Sequence, residues 1–382
     1  MNLPELRLTG AQVLTPDGMN DTALSLAGGL VVDGSGGRAV DLSGYLLLPG
    51  IIDLHGDGFE RHLAPRRGMI KDLSQGVIST EAELAVNGIT TACLAQFYSW
   101  EGGQRGPEFA TRMMQAVARV RPQVSTDLRI LLRFEAPMLK DYGAVEALIV
   151  AHDVNYVVFS DHLPHGALEQ GKRPPRLTGQ ALKAGRSPEA HLAMLQNMHA
   201  RRGEVPAALA ALTARLMQRG VLLGSHDDPD AKTRRAWHAM GAGIAEFPET
   251  LPAAKEARTG GDRIILGAPN LVRGGSHKGN VSALDMVAAG LCDALASDYH
   301  YPSLRQAALL LASNGMFDLA KAWSLISTGP ARVLGLHNRG ELSPGKRADL
   351  VILDAETQQL CATIAGGQVR YMSGPVVTRF IG

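Results

Sequence analysis

The spacing of hydrophobic and polar positions changes twice along the chain. Up to residue 50, short apolar runs are broken by turn residues, first in LRLTGAQVLT and then in TALSLAGGLVVDGSGGRAVDL, which is the texture of short strands. The GSGG at 34–37 has neither a following helix nor the spacing of a dinucleotide loop, so it predicts a hairpin turn. After Gly50, apolar runs of strand length alternate with helical stretches, the pattern that builds a parallel sheet. The predicted strands are 46–55 (LLLPGIIDLH), 89–96 (ITTACLAQ), 128–135 (LRILLRFE) and 154–162 (VNYVVFSDH). Four more follow at 221–228 (VLLGSHDD), 244–248 (IAEFP), 263–269 (RIILGAP) and 291–298 (LCDALASD). Helices are predicted over 108–121, 188–202 and 206–219. Eight such strands are what a closed (β/α)8 barrel of about 250 residues requires, with an open doubly wound sheet as the alternative. Beyond Asn338 the chain returns to turns and short strands, GELSPGKRADLVILD and LCATIAGGQVRYM. The fold expected is α/β: a TIM-like (β/α)8 barrel over 50–337, with a small β-sandwich domain formed by 1–49 together with 338–382.

Within LLLPGIIDLHGDGFERH an apolar strand runs straight into His55 and Asp57. Alternate residues of a strand point to one side, so the two polar groups leave the strand end together. A metal site and a strand that has merely reached solvent both explain that stretch. Barrel enzymes carry their chemistry at the C-terminal strand ends. The residues there are Glu135, set in RILLRFEAP, then Asp161-His162, His226-Asp227-Asp228 and Asp298. Singly, each is an ordinary polar strand end. Together His55, His162 and His226 with Asp57, Glu135 and Asp298 make a donor set that suits zinc, manganese or iron. Glu135 is placed to bridge two ions about 3.5–4 Å apart, which would share and activate a water. His191 and His199, eight apart on a predicted helix, are expected to face solvent. His62, His165 and His300 follow strand ends and line the mouth in this reading, without binding metal.

Composition narrows the function classes. The 382 residues are 45% hydrophobic and 20% charged, with a formal net charge of +1, as in ordinary globular proteins. That balance gives no support to nucleic-acid binding or to an anionic membrane surface. The start MNLPELRLTG lacks the charged and apolar regions of a signal peptide, and no apolar run approaches the roughly 20 residues of a membrane helix. Cys93, Cys292 and Cys361 are odd in number and far apart, against a disulfide framework. A cytoplasmic protein is expected.

PGIIDLHGD, the NGITT of the next strand and GELSPGKRADLVILD resemble the amidohydrolase superfamily across the whole chain. Finer motifs are similar to one branch, the ribose 1-methylphosphonate 5-triphosphate diphosphatases of the carbon–phosphorus lyase pathway (the PhnM family). They are HGDGFERHLAPRRG, LRFEAP, SDHLPHG, GSHDDPD, RGGSHKGNVSA and LASDYHYPSL. The resemblance implies one or two divalent ions, zinc first and manganese or iron as alternatives, on His55, Asp57, Glu135, His162, His226 and Asp298. It also implies Asp298 as general base and acid, with ribose 1-methylphosphonate 5-phosphate and pyrophosphate as products. The chain departs from the wider superfamily in His55-x-Asp57 where His-x-His is usual, and in Glu135 where a modified lysine often bridges. The strand count puts Glu135, His162 and His226 on strands three, four and five, whereas the superfamily usually has its histidines on five and six. Lys278 and Arg67 replace a small residue and a proline expected in this branch.

A triphosphate tail needs cations and backbone donors. RGGSHKGN follows the seventh strand, where barrels often bind phosphate, and offers Arg273, Gly274, Gly275, Ser276, His277 and Lys278. Arg61, Arg66 and Arg67 lie just beyond the first strand. A surface loop explains the glycine-rich stretch equally well. The partner expected is a small anionic phosphorylated substrate, with no nucleic acid and no membrane; assembly into a homo-oligomer is compatible with the sequence. Rival readings are an amidohydrolase acting on a cyclic amide or aminated base, and an inactive scaffold on a decayed barrel.

Overall fold

The computed structural model describes residues 4–63, 72–275 and 281–381. Its centre is a parallel sheet of eight strands that nearly closes into a (β/α)8 barrel. The strands are β1 (Ile51–Gly56), β2 (Ile89–Tyr98), β3 (Asp127–Glu135) and β4 (Tyr156–Ser160). They continue as β5 (Leu222–His226), β6 (Ile244–Glu246), β7 (Arg263–Gly267) and β8 (Ala294–Ala296). They hydrogen-bond in sequence order, and a parallel bridge between Gly56 and Asp298 joins the first strand to the residues after the last. Each of the eight predicted strands is present, and Glu135, His162 and His226 stand at or just past the ends of the third, fourth and fifth. Every residue of β2 is buried, as a strand covered on both faces must be.

The chain forms two compact units. One consists of Met1–Leu94, Arg119–Arg129 and Ile265–Gly382. It carries two further sheets. In the six-stranded sheet, Tyr45–Pro49 pairs antiparallel with Leu350–Asp354, so the two chain ends share one sheet. The first predicted strand is therefore split: Tyr45–Pro49 serves this sheet and β1 the barrel. The switch falls at Gly50, where a Cβ would lie 2.4 Å from Thr90 Oγ1. In the four-stranded sheet, Leu30–Val32 and Arg38–Asp41 lie at opposite edges, with Leu24–Ala27 and Leu6–Thr9 between them. GSGG thus connects two strands that are not neighbours, and the hairpin expectation fails. Gly37, at φ 89°, passes so close to Glu5 that a Cβ would sit 2.6 Å from its carbonyl carbon. Leu6, Leu8, Val13, Leu47, Leu350, Ile352 and Ile364 form the core of these sheets.

The other unit consists of Ala95–Ala118 and Ile130–Ile264. Its helix Pro188–Ala200 starts with Ser187 accepting from the Ala190 amide at 3.1 Å and Pro188 in the first turn. His191, Leu195 and His199 are the buried positions of this helix. The expectation that the two histidines face solvent is therefore wrong: together with Leu195 they form the packed face. His191 lies beside Trp100, with ring centroids 5.9 Å apart, and His199 Nδ1 is 2.8 Å from His165 Nδ1. Among the described residues, no helix is long and apolar enough to cross a membrane.

Candidate active site

In the second unit, Glu135 ends β3 directly beside Ser160, which ends β4. Its buried carboxylate is met by His162, whose Nδ1 lies 2.6 Å from Oε1 and whose amide donates to Oε2 at 3.0 Å. Ser160 Oγ donates to Oε1 at 3.2 Å. Burial works to raise the Glu135 pKa, but the bonds and charge of His162 outweigh it and hold the carboxyl below its ordinary value. In return, Glu135 draws the His162 imidazole above its own ordinary value, against the effect of burial.

His226, the last residue of β5, sits between two charged neighbours. Arg133 Nη2 donates to its Nε2 at 2.7 Å, and its Nδ1 lies 3.3 Å from Glu246 Oε2. Glu246 ends β6, is fully buried, and accepts from the Tyr156 hydroxyl at 2.5 Å. Asp227 and Phe247, the residues after β5 and β6, take left-handed backbone at φ 57° and 52°. That conformation is uncommon for aspartate and an outlier for a ring as large as phenylalanine. The turn places the Phe247 ring 5.2 Å from His226. The rings of His162 and His226 are 6.4 Å apart. Two imidazoles beside two buried carboxylates are donor types that suit a divalent transition metal. The guanidinium at His226 Nε2 shows that this cluster accepts positive charge.

In the first unit, β1 delivers Asp53 and His55, and Asp57 follows it directly. The Asp298 amide donates to the His55 carbonyl at 2.8 Å, and the Asp57 amide to the Asp298 carbonyl at 2.8 Å. These backbone bonds bring His55, Asp57 and Asp298 together, with Asp298 in left-handed backbone at φ 53°. Asp53 lies beneath them, fully buried, and accepts from Ser297 Oγ at 2.5 Å, the Ser297 amide at 3.0 Å and the His55 amide at 3.3 Å. Burial raises its pKa despite these bonds. Gly56 is required here, because a Cβ would meet Asp53 Oδ2 at 2.5 Å and Tyr301 Cε1 at 2.7 Å.

Of the residues expected to bind substrate, Arg61 and Arg273 both reach Tyr299. Arg61 Nη1 donates to its carbonyl at 3.4 Å, and Arg273 donates to its hydroxyl. Arg61 also forms an ion pair with Glu83. The Gly274 and Gly275 amides donate to the Leu271 and Asn270 carbonyls at 3.1 Å, closing the helix Ala268–Arg273. These amides therefore finish a helix, and Gly274 supplies its left-handed cap at φ 77°. Arg66, Arg67, Ser276, His277 and Lys278 lie outside the described residues.

Three residues of the site went unassigned in the sequence reading: Asp53, Arg133 and Glu246. Each left a signal. Asp53 and Arg133 stand two residues before His55 and Glu135 on the same strand faces, and Glu246 is the one carboxylate within IAEFP.

The Amidohydrolase family profile matches residues 188–373. The alpha-D-ribose 1-methylphosphonate 5-triphosphate diphosphatase of Escherichia coli (strain K12) is 34% identical over 331 residues, which are 82% of this chain and 85% of that protein. Among solved structures, an N-acetyl-D-glucosamine-6-phosphate deacetylase from Mycobacterium smegmatis superposes with a TM-score of 0.63 at 16% identity, covering 96% of this chain and 100% of that one. A beta-aspartyl dipeptidase from Fervidobacterium islandicum gives 0.60 at 15% identity, covering 98% and 99%. At such identities the two structures show the shared fold alone.

Proposed function

This chain belongs to the amidohydrolase superfamily and, within it, to the family of the Escherichia coli alpha-D-ribose 1-methylphosphonate 5-triphosphate diphosphatase, and we propose that it hydrolyses that triphosphate to the 5-phosphate and pyrophosphate in a metal-dependent reaction of phosphonate catabolism. The observation that carries this reading is the pairing of buried Glu135 with the more exposed His162 next to His226, two imidazoles and a carboxylate at or just past the ends of β3, β4 and β5. His55, Asp57, Glu135, His162, His226 and Asp298, each at or just past a strand end, would hold one or two divalent ions, zinc first among the candidates. When bound, such ions supply a water acidified for attack and neutralise charge on the phosphoryl oxygens.

The side chains divide the remaining work. Glu135 stays ionised through His162, so it offers two oxygens to a cation at neutral pH. Asp298, held in its turn by β1, takes the proton of the attacking water and returns it to the leaving group. Arg273 and Arg61, gathered on Tyr299, meet the outer phosphates, and Lys278 adds a further charge. The substrate is thus a small anion, read by local cations on a chain of near-neutral total charge. Pyrophosphate release from a panel of sugar 5-triphosphates, run beside a panel of cyclic amides, tests the reading. Release from the triphosphates alone supports it, and turnover of the amides alone overturns it.

A further inference from the structure

Arg133 and Glu135 leave the same face of β3. The Arg133 side chain is buried, and its guanidinium carbon lies 3.9 Å from the centroid of the Phe97 ring. A guanidinium only donates, so the 2.7 Å contact from Nη2 to His226 Nε2 fixes the tautomer. Nε2 holds the lone pair, and Nδ1 carries the hydrogen that faces Glu246. That Nε2 lone pair is also what His226 would offer to a divalent ion. One lone pair cannot serve both cations. Arg105 lies on the same ring at 4.2 Å but is tied to Glu101 at 3.0 Å, so Arg133 is the guanidinium of the pair that reaches His226.

We propose that Arg133 is an anion-binding residue for the attacked phosphoryl group: it rests on His226 Nε2 until an ion takes that nitrogen, then turns its fork to a phosphoryl oxygen while Phe97 holds its plane. This rests on the phosphoanhydride reaction proposed above and names the residue that meets the charge of the reacting phosphorus. Arginine suits the task because its planar fork stacks on a ring and still grips two oxygens, which a lysine cannot do.

The test titrates inorganic tripolyphosphate into the full-length protein by calorimetry, stripped with a chelator and then loaded with zinc. Wild type, Arg133→Met and Arg133→Lys are compared. Loading is expected to strengthen tripolyphosphate binding in the wild type. In the loaded protein, Arg133→Met is expected to weaken it about tenfold or more, the scale of one charged hydrogen bond, with Arg133→Lys in between. Zinc is expected to bind Arg133→Met at least as tightly as wild type, because a competitor for Nε2 is gone. Two results overturn the proposal: wild-type tripolyphosphate affinity in the variants, or loss of zinc from a folded Arg133→Met, which would make Arg133 a support for His226. If Arg133→Met does not fold, a folded Arg133→Lys with wild-type affinity is enough to overturn it. Arg133-dependent tripolyphosphate binding in a protein that releases no pyrophosphate from any triphosphate upholds this inference and sinks the proposed reaction alone.

Discussion

His162 Nδ1 lies 2.6 Å from Glu135 Oε1 across the ends of two neighbouring strands, and the His162 amide closes on the other carboxylate oxygen at 3.0 Å. Each side chain thus shifts the other toward its charged form, Glu135 below and His162 above the ordinary value, against the effect of burial.

Glu135→Gln preserves size and removes the charge. The variant is expected to fold, to lose one bound ion per chain, and to lose turnover by about a hundredfold or more, since both water activation and charge neutralisation weaken. Elemental analysis and kcat on the same preparation check this. An unchanged ion count with an unchanged rate would leave Glu135 as a strand-end carboxylate and no more.

His226 and Glu246 are coupled through Nδ1. His226→Ala is expected to lower the metal content outright, and chelation to abolish activity in the parent. Glu246→Gln keeps an acceptor for the Tyr156 hydroxyl but weakens the orientation of the ring. A loss of about 10–100-fold in metal affinity is expected, as for other partners of ligating histidines. Competition with a fluorescent chelator measures it. Full metal occupancy in His226→Ala would remove that residue from the ligand set.

The role proposed for Arg273 is to hold the tail through its charge and not through the metal. Arg273→Ala is expected to raise KM for a triphosphate about tenfold, with metal content unchanged. Tyr299→Phe, which removes the hydroxyl that Arg273 donates to, is expected to move KM in the same direction by less. A fall in kcat at constant KM in either variant would contradict a role in holding the tail.

His191 gives a handle on pH. Burial first, then the charge of Arg186, hold its folded pKa below the ordinary value. The unfolded chain therefore takes up this proton more readily than the folded one. The stability contributed is complete above the unfolded value of about 6.5 and is lost as pH falls through that value toward the folded one. Thermal melts of wild type and His191→Leu between pH 7.5 and 5 are expected to show a shallower decline in the variant. Parallel declines would show that His191 does not carry this dependence.

The barrel was legible because its strands are buried on both faces and read as apolar runs, which the all-buried β2 illustrates. What the sequence hid were pairings between distant residues. No local signal tells that Gly50 is a switch between sheets, or that GSGG crosses between opposite edges of one sheet. Helical spacing alone misjudged His191 and His199, since an imidazole fits either a wet face or a packed one. The predicted strand-end residues stood out as types, whereas Arg133 and Glu246 stood inside predicted strands, where their signals, a cation two residues before Glu135 and a carboxylate in IAEFP, named no partner. Their roles appear only once β3, β5 and β6 place them around His226.

The central claim, attack at the phosphorus nearest the sugar, is tested most directly by running the reaction in ¹⁸O-labelled water. If Arg273 and its neighbours hold the outer two phosphates, as proposed, attack falls on the innermost phosphorus and pyrophosphate leaves. The expected result is label in the sugar 5-phosphate and none in the pyrophosphate. Labelled orthophosphate as the main product would show a terminal phosphatase, and would contradict the orientation proposed here.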